Sequence, residues 1–152
     1  MLLVVGPTSE PPMPVQNLAR SDIVTAAPDE SIQELAATMQ DEGVGCIVIT
    51  DDDAPVGIVT DRDLVMQILA SGTDPDEVVA EDVMSEDLCT IEDRAGFYHA
   101  TELMSEHGVR RLPVTDSDGT LTGIITIDDL NELLADEQQE LAGVIRKQRP
   151  PY

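Results

Sequence analysis

Positive charge is scarce in this sequence: eight Lys and Arg, Lys147 the only lysine, stand against 31 Asp and Glu, a formal net charge of −23 over 152 residues. Such a surface repels phosphate backbones and anionic lipid, which excludes nucleic acid and membrane as partners held by bulk charge. Cysteine is equally sparse. Cys46 and Cys89 lie far apart, with no CxxC pair and no histidine cluster, so no metal centre is expected, and both read as small buried apolar side chains. No run reaches the length of a membrane span, and Leu2–Val5 is too short for a signal core and lacks a basic start, so a cytoplasmic chain is expected. Disorder is excluded too, because 41% of residues are hydrophobic and recur in regular groups. A surface this acidic suits a salt-rich cytoplasm, where screening relieves self-repulsion, and points to a halophilic source.

Residues 1–14 carry four prolines and no periodic pattern, which reads as a flexible tail with Met13 as an alternative start. From Asp22 the chain settles into a pattern that returns after about 65 residues. In the first unit, Ile23-Val24-Thr25 is extended. Ser31 caps a helix with Ile32, Leu35, Ala36 and Met39 on one face, and Gly43 ends it. The apolar run 44–49 predicts a strand, Asp51–Pro55 a turn, and 56–59 the hairpin partner. A second helix after Thr60 presents Leu64, Val65, Ile68 and Leu69. The second unit repeats these steps: Leu88-Cys89-Thr90, a helix with Phe97, Ala100 and Met104, Gly108, strands at 109–115 and 121–125, and a long helix from about Asp128 to a basic end at residues 146–149. Pro150 and Pro151 then stop regular structure, leaving a short tail at 150–152. The expected organisation is one repeat at 15–72, an acidic linker at 73–84 and a second repeat at 85–149. Each unit is too small to hide enough apolar surface alone, so the two must pack together. The fold class is α/β (α+β), two β-α-β-β-α repeats.

Both strand-to-helix junctions read G-h-h-T-x-x-D: Gly57-Ile58-Val59-Thr60-Asp61-Arg62-Asp63 and Gly123-Ile124-Ile125-Thr126-Ile127-Asp128-Asp129. A glycine there lets a ligand or another backbone approach closely. N–H groups of the following turn, with the threonine hydroxyl, suit a phosphate, and the aspartate suits ribose hydroxyls. The same Thr-x-x-Asp is also a capping box that does no more than begin a helix.

These phrases, with Met39-x-x-x-Gly43-Val44 and Met104-Ser105-Glu106-His107-Gly108-Val109-Arg110-Arg111-Leu112-Pro113-Val114, resemble a tandem pair of cystathionine-beta-synthase-type (CBS) domains, a Bateman module, over about residues 22–134. Together with the acidity, the expected source is a halophilic archaeon. The resemblance implies pseudo-twofold packing and two clefts for an adenosine nucleotide (AMP, ADP, ATP) or S-adenosylmethionine as regulatory ligand, with no obligatory cofactor. It implies that Asp63 and Asp129, the latter beside Asp128, hold ribose and that Thr60 and Thr126 approach phosphate. Segments at Thr25, Val44 and Cys46, and at Thr90 and Val109, would flank adenine. It also implies a homodimer and an unidentified regulated protein.

Arg62, Arg110 and Arg111 fall near the implied clefts, and guanidinium suits phosphate, although each could instead pair with a surface carboxylate. Strand alternation predicts that at most one of Arg110 and Arg111 faces a given cleft. Asp51-Asp52-Asp53 and Asp116-x-Asp118 read as solvated turns rather than cation loops, and His99 and His107 as helix-surface residues. No nucleophile with a base, and no catalytic carboxylate pair, is legible, so no enzymatic activity is expected. The rival to a ligand sensor is a dimerisation module with empty clefts.

Overall fold

A computed structural model describes residues 13–85 and 87–148. The expected tail at 150–152, Arg149 of the basic end, and residues 1–12 of the N-terminal tail lie outside the described residues.

In the first repeat Ser31 accepts from the Glu34 N–H at 3.2 Å and starts α1 (Ile32–Glu42), which Gly43 closes in the left-handed conformation at φ 66°. Ile32, Leu35 and Met39 are buried on one face, as their spacing requires. Strand β1 (Thr25–Ala26) runs parallel to β2 (Cys46–Asp51), which pairs antiparallel with β3 (Ala54–Thr60) in the order β1-β2-β3. The turn between β2 and β3 places Asp52 and Asp53 at φ 48° and 64°, the two left-handed positions of a tight hairpin, which Asp tolerates better than most residues.

The helix expected after Thr60 differs from the expectation. One α-turn, α2 (Asp61–Asp63), passes into a wider π-helical stretch, Leu64–Leu69, in which the Ala70 N–H reaches the Val65 carbonyl at 2.9 Å. Five-residue spacing rotates successive side chains away from a 3.6-residue stripe. Ile68 is therefore buried while Val65 and Leu69 are exposed. The chain continues through α3 (Ala80–Val83) to β4 (Ile91–Glu92), α4 (Phe97–His107), β5 (Arg111–Thr115), β6 (Leu121–Thr126) and α5 (Ile127–Gln148). The second sheet has the order β4-β5-β6 with the same parallel and antiparallel pairings. The fold is thus mixed α and β, with two matching three-stranded sheets.

Each repeat is completed by the stretch of chain that precedes the other. Val15 is fully buried among Ile91, Leu112 and Ile125 of the second core, and its N–H donates to the Ala95 carbonyl at 2.8 Å. Met13 and Pro14, read as tail, are held there as well: the Phe97 N–H donates to the Met13 carbonyl, and Pro14 bridges Gly96. Symmetrically, Val79 bridges Ser31, and Ala80 and Val83 from the expected linker are buried in the first core. Ser85 then bridges Ile58 as Arg20 bridges Ile124. Both repeats thereby gain the apolar cover that about fifty residues cannot supply alone.

Candidate functional site

The two junction phrases fold alike. The Thr60 N–H donates to Asp63 Oδ2 at 2.9 Å and the Asp63 N–H to Thr60 Oγ1 at 3.2 Å. The Thr126 N–H donates to Asp129 Oδ2 at 2.9 Å and the Asp129 N–H to Thr126 Oγ1 at 3.3 Å. Both are therefore real capping boxes. In the first repeat the helix-start donors are also committed: the Asp61 N–H donates to the Gly45 carbonyl at 2.9 Å and the Arg62 N–H to its neighbour Asp61 Oδ1 at 2.8 Å. In the first repeat these N–H groups, expected to suit a phosphate, have acceptors within the protein.

The glycines are explained by chain crossing rather than by a ligand. A Cβ on Gly57 would stand 2.5 Å from Met84 Sδ, and one on Gly123 would stand 3.0 Å from the Arg20 carbonyl oxygen. The crossing segments fill the space that the missing side chains leave.

Between the repeats lies a cleft of about 260 Å³, close to the lower end of the roughly 300–1,000 Å³ usual for small-molecule pockets. Thr60, Asp63 and Ile58 form its first-repeat wall, and Leu88, Cys89, Val109, Arg110 and Arg111 its second-repeat wall, with Ser85 and Asp87 at the connection. Arg110 and Arg111 therefore share one cleft, against the expectation from strand alternation. Arg110 precedes β5 instead of lying in it, and its carbonyl is taken by the Ile127 N–H at 2.9 Å. Two arginines and two aspartates, Asp63 and Asp87, thus line one space together with Leu88 and Val109, in a chain where cations are rare.

Other candidate residues lie elsewhere. Arg62 is exposed and does not line this cleft, nor do Thr25, Thr90, Val44 and Cys46; Thr25 and Thr90 are exposed, Val44 and Cys46 half-buried. Thr126 and Asp129 occupy the equivalent place in the other repeat, with Asp128 exposed beside them. Burial raises the Cys46 thiol pKa; the Asp61 carboxylate pushes it the same way, and the Arg111 charge opposes both. Among the described residues no three His, Cys, Asp or Glu side chains cluster as a metal site. His99 Nδ1 lies 3.8 Å from Glu102 on its own helix.

Sequence reasoning missed Arg20. It pairs with the buried Asp129, with Nε and Nη2 both 3.1 Å from Oδ1, and this pairing raises the Arg20 pKa. Comparing residues 15–22 with 80–87 at the repeat offset sets Arg20 opposite Ser85, a difference in charge between the repeats that does not by itself name Asp129 as the partner.

The family model for the CBS domain matches residues 15–70 and 79–136. The Methanopyrus kandleri protein MK0525 is 42% identical over 76% of this chain, which spans only 60% of that protein's length. The CBS domain-containing protein YhcV of Bacillus subtilis is 34% identical over 76% of this chain and 81% of its own length. The solved structure of the CBS domain protein PAE2072 from Pyrobaculum aerophilum, complexed with AMP, superposes with a TM-score of 0.70 and 26% identity over 77% of this chain and 89% of that one. Among the described residues no helix is long and apolar enough to cross a membrane.

Proposed function

We propose, from the premise that this chain belongs to the CBS-domain family, that it is a regulatory module binding an adenosine-containing nucleotide between its repeats and passing that state to a partner protein. The observation that carries the reading is the cleft joining Thr60 and Asp63 of one repeat to Arg110 and Arg111 of the other. In it Asp63 accepts from ribose hydroxyls, the two guanidinium groups meet phosphate, and Leu88, Cys89 and Val109 offer the base an apolar surface. A ligand touching both repeats binds one relative placement better than another, and that differential affinity is what a partner reads. The AMP bound by the Pyrobaculum relative supports the ligand class.

The same reading includes a homodimer, supported by exposed Leu141, Val144 and Ile145 along α5, and a salt-rich cytoplasm, supported by the net charge of −23. No catalytic function is proposed for the chain.

Titration calorimetry in molar KCl with AMP, ADP, ATP and S-adenosylmethionine tests the proposal. Saturable binding of at least one, weakened by Arg110→Ala or Arg111→Ala, is expected. Silence with all four favours the second reading, an interaction module with empty clefts, which the two intact capping boxes support.

A further inference from the structure

The two halves of the pseudo-symmetric pair are not equivalent, and we infer that this chain takes one nucleotide, in the Thr60/Asp63 cleft, because Arg20 locks the counterpart position shut. The inference rests on the nucleotide reading above and concerns which of the two positions is open.

Three differences carry it. First, Asp63 uses Oδ2 for its cap, and among the described residues nothing donates to its Oδ1, whereas Asp129 has Oδ2 in its cap and Oδ1 in the Arg20 pair. Asp129 is buried as well, at 8% exposure. Second, the Thr126 hydroxyl donates to Asp129 Oδ2 at 3.0 Å, while the Thr60 hydroxyl accepts from the Asp63 N–H and donates to no described group. The first repeat therefore keeps one hydroxyl donor and one carboxylate oxygen for a ligand, and in the second repeat both are spent on the protein itself. Third, the cations are distributed unequally. At the repeat offset, Gly45 and Cys46 stand where the open cleft has Arg110 and Arg111. The Asp61 carboxylate packs there, its Oδ2 3.3 Å from where a Gly45 Cβ would be. A phosphate entering the counterpart position finds no arginine at the places that match 110 and 111, and the guanidinium of Arg20 is already paired with Asp129. Conversely Ser85, opposite Arg20 in the repeat, is too short to bridge to Asp63 and leaves it open.

The test uses the full-length protein with AMP as probe, in calorimetry with circular dichroism as the folding control. One AMP per chain is expected. Asp63→Asn, which keeps an oxygen for the cap, weakens it at least tenfold, and Asp129→Asn changes it less than twofold. With uncharged adenosine, Arg20→Ser is expected to raise the stoichiometry from one to two per chain, since Asp129 Oδ1 is then free to accept from ribose and adenosine carries no phosphate that needs a cation beside it. Two AMP per chain in the unaltered protein, or one AMP lost on Asp129→Asn and kept on Asp63→Asn, overturns the inference and leaves the nucleotide reading standing. A stoichiometry that stays at one in Arg20→Ser overturns the role given to Arg20. No AMP binding by the unaltered protein overturns this inference together with the nucleotide reading.

Discussion

Asp63 has two separable duties, and paired substitutions distinguish them. Its Oδ2 holds the Thr60 N–H at 2.9 Å, while Asp63 lines the cleft and, among the described residues, nothing donates to its Oδ1. Asp63→Ala removes both. Loss of the cap costs about 1 kcal/mol, which for a chain of this size lowers Tm by roughly 2–4 °C. Loss of one hydrogen bond from a ribose hydroxyl to a charged oxygen costs about 1.5–3 kcal/mol, a fall in AMP affinity of roughly 10- to 150-fold. Asp63→Asn retains an oxygen for the cap but not the charge, so Tm should stay within about 1 °C while affinity still falls at least tenfold. Thermal melting by circular dichroism and AMP titration on the same preparations read the two effects independently. If Asp63→Ala lowers Tm as stated and AMP binds unchanged, Asp63 is a helix cap alone and the ribose assignment is wrong.

Gly57→Ala forces a methyl into Met84, 2.5 Å from Sδ and 2.9 Å from Cβ, so overpacking of about 1–3 kcal/mol is expected. A urea midpoint equal to that of the unaltered protein would contradict the close crossing of residues 84–85 over β3. Burial, with Glu34 and Asp29 adding like charge, raises the Glu30 pKa above the ordinary carboxylate value. Its ionised form therefore opposes folding above the folded pKa, and Glu30→Gln should raise Tm at pH 7, with the gain shrinking as pH falls through that value towards the unfolded one and as salt is added. The Cys46 thiol, raised by burial, stays protonated at neutral pH and contributes stability that is lost as pH rises through its folded pKa. Iodoacetamide at pH 8 should modify it more slowly than a cysteine in a denatured control, and equal rates would show that β2 is not covered.

Much of the local structure was legible in the sequence, because the signals are local. Ser31 and Gly43 mark the ends of α1, and the spacing of Ile32, Leu35 and Met39 marks its buried face, each through interactions within a few residues. The two G-h-h-T-x-x-D phrases announced both capping boxes and the repeat. The stretch 64–69 was misjudged in its face, since a π-helical turn and an α-turn share the same composition and differ only in which carbonyl each N–H selects.

The repeat, its elements and the excess of negative charge were determined by the sequence alone, since periodicity, turn chemistry and net charge require no knowledge of distant neighbours. Only the tertiary structure decided which residues meet: that Val15 and Arg20 belong against the second repeat and Val79–Ser85 against the first, and that Arg110 and Arg111 share a cleft with Asp63. The Arg20–Asp129 pair spans 109 positions of chain, and no local pattern encodes a contact of that separation. It follows from how the two cores exchange their covering segments to bury apolar surface, which is a property of the packed pair and of neither repeat alone.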